Sequence, residues 1–190
     1  MEKNDIELRS RWMMSTEKNA VLEAQQKCFG CASLPDILDG RIRITKIDGQ
    51  IRIIKIVAYH EDPIAFKEAE QKLEEFNNIC RNSPSGRNGK KRVFDEYSKL
   101  ILKANLVILS FVVYDYDTLK KRTTIIQIGA VPEDTANAGK ILLDDMIECA
   151  KINKRELAIA PGAISESMRF LFPEEKLIPT EPEGTVLLML

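Results

Sequence analysis

Two runs constrain this chain more than anything else in it: LVILSFVVYDY at 106–116 and TTIIQIGAV at 123–131. Both are rich in β-branched residues, which favour strands. Neither alternates apolar with polar, as a strand with one wet face would; near-continuous apolar runs imply cover on both faces. Directly after the second run, PEDTANAGKILLDDM opens an amphipathic helix over 138–153. Its inner face takes Ala138, Ile141, Leu142, Asp145, Met146, Cys149 and Ala150. Strand, short turn and helix leave free backbone N–H groups at the turn, a setting that suits an anion.

The other elements are read from periodicity and punctuation. Residues 15–29 have helical spacing, with Ser15 or Thr16 as cap and Ala20, Val21, Ala24 and Cys28 on one face. Residues 41–58 read as an Ile-rich β-hairpin turning at Asp48-Gly49. A helix begins at Asp62-Pro63, a good cap and a good first position, and runs to about Cys80. Residues 81–92, RNSPSGRNGKKR, read as a basic loop. Residues 93–104 have helical spacing, although KLILK within them also fits a short strand. A short strand at ELAIAPG, a short helix at AISESMRFLF and a final strand at GTVLLML complete the chain. That last strand is expected inside the sheet.

Net charge is −1, so nothing global draws the chain to nucleic acid or acidic membranes. Residues 1–104 hold 19 Lys/Arg against 16 Asp/Glu, and residues 105–190 hold 9 against 13. The basic hairpin and loop could touch an anion, but edge strands carry Lys and Arg to prevent aggregation, and nucleic acid is not favoured. The N-terminus is polar and no apolar run approaches the roughly 20 residues of a membrane helix, so a cytoplasmic protein with no membrane partner is expected. Cys28 and Cys31 form CFGC, yet no second pair completes a zinc set. A helix end capped by Gly30 is preferred, and no metal is expected. His60, the single histidine, receives no role.

From residue 51 the order is strand, helices, two strands, turn and helix, strand, helix, strand. With IGAVPEDTANAGKILL it resembles the GNAT superfamily of N-acyltransferases, whose strand ends in V-x-P before an Arg/Gln-x-x-Gly-x-Gly/Ala turn and a Lys-x-Leu-Leu helix. Pro132, Gly139, Lys140, Leu142 and Leu143 match. Asn137 replaces the middle glycine and Asp134 the Arg/Gln. The resemblance implies an α+β fold: a mixed, mostly antiparallel sheet with helices on both faces, over residues 51–190, with 1–50 as an N-terminal extension.

It also implies acetyl-CoA or another acyl-CoA as co-substrate. The pantetheine would lie along Ile128, Gly129, Ala130 and Val131, where Gly129 marks a bulge or a close backbone approach. The pyrophosphate would meet Thr135, Ala136, Asn137, Ala138, Gly139 and Lys140. The acceptor would be an amine on a small molecule, a protein or a nucleotide. Gln127 stands where members carry a basic Glu, and Phe170 near their acidic Tyr, so Ser165 or Ser167 would donate the proton and Tyr116 would enter the acceptor site. Two alternatives stand beside this enzyme: a catalytically inactive GNAT-like binding module, and an unrelated α/β domain in which Glu133 and Asp134 merely cap the helix.

Overall fold

A computed structural model describes residues 8–30, 50–82, 87–134 and 137–190 of the 190-residue chain. The first arm and turn of the expected hairpin, Cys31 of the CFGC motif, and Thr135 and Ala136 of the turn lie outside the described residues.

The strands are β1 (Ser10–Trp12), β2 (Gln50–His60), β3 (Leu106–Asp117), β4 (Arg122–Ala130), β5 (Glu156–Ile159), β6 (Leu177–Thr180) and β7 (Thr185–Leu188). They form one sheet in the order β1-β2-β3-β4-β5-β7-β6. β4 and β5 run parallel, while β1–β2, β3–β4, β5–β7 and β6–β7 are antiparallel. The α+β expectation therefore holds, and the final strand lies inside the sheet between β5 and β6.

The helices are α1 (Lys18–Phe29), α2 (Pro63–Asn82), α3 (Arg87–Ala104) and α4 (Ala138–Ile152). The chain divides into two compact units, Met1–Ala58 with Ile108–Leu190, and Tyr59–Val107. The second is a helical pair. Asp62 Oδ1 accepts from the Ala65 N–H at 2.9 Å, the expected cap. Lys72 bridges Glu75 at 2.9 Å and Glu96 at 3.0 Å, and Phe76 meets Phe94 with centroids 5.7 Å apart. Two sequence readings are corrected here. Of the expected loop at 81–92, residues 81–82 end α2 and residues 87–92 begin α3, because Lys and Arg are good helix formers and add an Arg92–Glu96 pair. The ambiguous 93–104 segment is the rest of the same helix.

In the sheet unit, alternation sends successive β4 side chains to opposite faces. Ile125, Ile128 and Ala130 join Val112, Tyr114, Leu142, Leu143 and Met146 in the core under α4. Gln127 and Gly129 face α1: Gln25 Nε2 donates to Gln127 Oε1 at 2.8 Å, and Cys28 lies against Gly129. Helices thus cover both faces, as the two apolar runs require. Gly30 ends α1 at φ +70°, its N–H donating to Gln26 O at 2.9 Å, so the expected cap is present.

Candidate functional site

β3 and β4 pair in register from Ser110↔Ala130 to Val113↔Gln127, and then shift by one residue at Tyr114↔Ile125. The extra residue is Ile126, so β4 carries a β-bulge there. Gly129 is not the bulge. It marks the close approach instead, since a Cβ on it would stand 3.0 Å from Cys28 Cβ and Sγ.

The bulge coincides with a break on the other side of β4. The parallel ladder with β5 ends at Ile125↔Ile159, where Ala160 N–H reaches Ile125 O at 2.9 Å. The chain then swings out through Pro161 and Gly162 and returns to β4 at Ile128↔Ile164. Two residues of β4, Ile126 and Gln127, face four residues of the other strand, 160–163. At the return the Ile128 N–H donates to Ala163 O at 2.7 Å, and Ile128 O accepts from the Ser165 N–H at 3.0 Å.

Past Ala130 the chain enters the turn. Asn137, which replaces the middle glycine, adopts φ 54°, ψ 33°, a left-handed geometry that Asn tolerates better than most residues, and stands at the N-cap position of α4. Asp134 Oδ2 accepts from the Gly139 N–H at 3.2 Å, so a carboxylate already sits at the first turn. Gly139 is tightly packed: a Cβ there would lie 3.1 Å from Ala130 Cβ and 3.2 Å from the Met168 Sδ and Cε atoms. Ala138 is buried, and Lys140 points outward to Asp144 at 2.5 Å.

The mixed, mostly antiparallel sheet with helices on both faces, and the strand, turn and helix from β4 into α4, are the architecture that the sequence resemblance implies. No family model matches the sequence, and no curated protein matches it. Among solved structures, the chain is similar to the PaiA N-acetyltransferase from Thermoplasma acidophilum, a coenzyme A complex, at 11% identity and TM-score 0.44 over 96% of each chain. It is also similar to the ribosomal-protein-S18-alanine N-acetyltransferase from Escherichia coli, at 9% identity and TM-score 0.46, covering 95% of this chain and 90% of that one. FemX gives 9% identity and TM-score 0.42 over 78% of this chain and 42% of its own. These likenesses concern the course of the chain alone.

The serines come together at the end of β4. Ser167 Oγ donates to Ala130 O at 2.6 Å and lies 3.0 Å from Ser165 Oγ. Because Ser167 spends its one proton on the carbonyl, Ser165 is the donor within the pair. Ser165 is buried and extended, at the position before the 3₁₀ segment Glu166–Leu171 that carries Ser167. Tyr116 stands apart. It pairs with Thr123, seven residues from Ala130 and so roughly 20 Å along the strand, beneath the Arg155 guanidinium at 3.3 Å. Burial, with Glu133 second, pushes the Cys28 thiol up to about 12, which keeps it protonated and unreactive.

Sequence reasoning missed Gln25. It is buried in α1 and bonded to Gln127 beside the bulge. The signal was present: Val21, Ala24 and Cys28 define an apolar stripe, and Gln25 is the polar residue inside it.

Proposed function

We propose that this protein is an acyl-CoA-dependent N-acyltransferase that moves an acetyl or other acyl group onto an amine by direct attack. The observation that carries the reading is the coincidence at residues 126–127 of a β-bulge with the break in the β4–β5 ladder. A broken ladder beside a buried strand is where an extended ligand can add its own hydrogen bonds to the sheet. The setting proposed is cytoplasmic; no helix among the described residues is long and apolar enough to cross a membrane.

The residues present fit such a ligand in part. The turn ends in a left-handed Asn137 and a helix start, Ala138, Gly139 and Lys140, whose N–H groups suit a pyrophosphate; Thr135 and Ala136, outside the described residues, are proposed to add to it. Ile128, Gly129, Ala130 and Val131 would carry the pantetheine arm. The acyl-CoA supplies the activated thioester. This chain supplies alignment, with Ser165, or Ser167 once it releases the Ala130 carbonyl, as proton donor and Tyr116 on the acceptor side.

Two groups oppose binding: Asp134 holds the Gly139 N–H, and the strand segment 163–165 uses both backbone groups of Ile128. They favour a second reading, a GNAT-like binding module without catalysis. Calorimetric titration with acetyl-CoA tests the proposal. Binding is expected, and Asp134→Arg should strengthen it by about 1 kcal/mol, the worth of reversing a charge at a partly exposed helix start. Absence of binding in both proteins would defeat it. Binding with no acyl transfer to any amine would leave the module.

A further inference from the structure

At one end of the sheet, cations gather without carboxylates. The Glu156 N–H donates to Lys121 O at 3.1 Å, which brings the tip of the β3–β4 hairpin against the start of β5. Lys151 lies in the last turn of α4, and the Lys154 N–H donates to its carbonyl at 3.1 Å. Arg155 follows. None of the four side chains has an ion pair among the described residues. Glu156, the adjacent carboxylate, is taken by Arg122 at 2.8 Å. Arg155 Nε and Nη1 are sealed without a hydrogen-bond partner, and its Cζ lies 3.3 Å over the Tyr116 ring, so only Nη2 reaches the surface. A guanidinium partly withdrawn from water calls for a counter-charge.

The same end carries exposed aliphatic side chains. Leu119 at the hairpin tip is 83% exposed and Ile152, the last residue of α4, is 71% exposed. Met189, next to the Leu188 that pairs with Leu157, is exposed as well. The opposing charges are Glu148, one turn before Ile152, and Glu174 and Glu175 ahead of β6.

We propose that this end of the sheet is a peripheral docking surface for an anionic lipid bilayer. Leu119 and Ile152 enter the boundary with the acyl chains, while Lys121, Lys151, Lys154 and Arg155 meet headgroup phosphates. Apolar area and attraction to anionic lipid add at such a contact. Lysine stems lie along apolar surface while their heads stay wet. A protein partner fits less well, because protein interfaces are poor in Lys and rich in aromatic rings, and Tyr116 is already covered by Arg155. A nucleic acid would use the cations but gives Leu119 and Ile152 nothing to enter. The whole-chain charge of −1 does not register so local a patch, and a surface contact needs no spanning helix. The surface is independent of the acyltransferase reading.

Co-sedimentation of the whole chain with vesicles tests it. One set is phosphatidylcholine, the other an equal mixture of phosphatidylcholine and phosphatidylglycerol. The protein should sediment with the mixed vesicles only, and added salt should weaken that binding. Lys121→Asn with Lys154→Asn removes two charges at φ 50° and 51°, a backbone geometry that Asn accepts, and should weaken binding about tenfold or more. Leu119→Ser should weaken it about fivefold, with the circular dichroism spectrum unchanged. The proposal is overturned by no sedimentation with mixed vesicles, by equal binding to both sets, or by unchanged binding in either folded variant. It is also overturned if a double-stranded RNA oligonucleotide binds in preference to the mixed vesicles and Leu119→Ser leaves that binding unchanged. If a variant does not fold, the wild-type comparison of the two vesicle sets decides alone.

Discussion

Gly129→Ala tests how tightly α1 is seated on β4. The added Cβ would meet Cys28 Cβ and Sγ at 3.0 Å and Phe111 Cε1 at 3.1 Å. Carbon atoms prefer about 3.5–4.0 Å, so three contacts are each short by about half an ångström or more. Cys28 Cβ is fixed to helix backbone and Phe111 is fully buried against Phe29, so neither yields by a simple rotation. Overpacking of this kind costs about 1–3 kcal/mol. Against it, alanine restricts the unfolded chain and returns about 0.4–1 kcal/mol. The net expectation is a loss of about 1–2 kcal/mol, or roughly 2–8 °C in Tm for a chain of this size. Urea unfolding followed by circular dichroism measures it. Gly129→Ala with Cys28→Gly removes two of the three contacts, so the pair should be less damaging than the sum of the singles. A Gly129→Ala protein as stable as wild type would refute the close seating, and with it the placement of Gln25 beside Gln127.

Lys55 Nζ meets Asp145 Oδ2 at 2.6 Å, and Ser10 Oγ shares that oxygen at 3.0 Å, tying β1, β2 and α4 together. Lys55→Met should cost about 1–2 kcal/mol, discounted for the part-exposed aspartate, and adding Asp145→Asn should recover some of it; thermal melts of single and double variants check the coupling. Gly184 turns into β7 at φ +80°, and a Cβ there would lie 2.9 Å from Pro161 Cγ, so Gly184→Ala should lose about 1–2 kcal/mol in urea unfolding. Burial pushes both Cys28 and Tyr114 up to about 12, from ordinary values of 9.0 and 10.0. Between pH 9 and about 12 the folded state therefore holds more protons than the unfolded one, and stability should fall across that window. Cys28→Ala should flatten the lower part of the fall, which urea midpoints at stepped pH would reveal.

The sequence by itself determined the elements whose pattern is local and long. Residues 106–116 and 123–131 read as doubly covered strands because apolar residues fill both parities, and α4 followed from spacing. Asn137 and Gly30 were legible because a left-handed residue needs a particular side chain or none. The tertiary structure alone decided the rest. β1 and β6 are three and four residues long and carry no period of their own; they are strands only because β2 and β7 offer free edges. The bulge at Ile126 could not be read, because TTIIQIGA has no glycine there and the extra residue is defined only by counting against β3. Gln25 and Gln127 are 102 positions apart, and their meeting depends on α1 crossing the face of β4 at Gly129. Periodicity records which residues seek burial. It does not record which buried residues meet, because that depends on strand order and register, which arise from contacts remote in the chain.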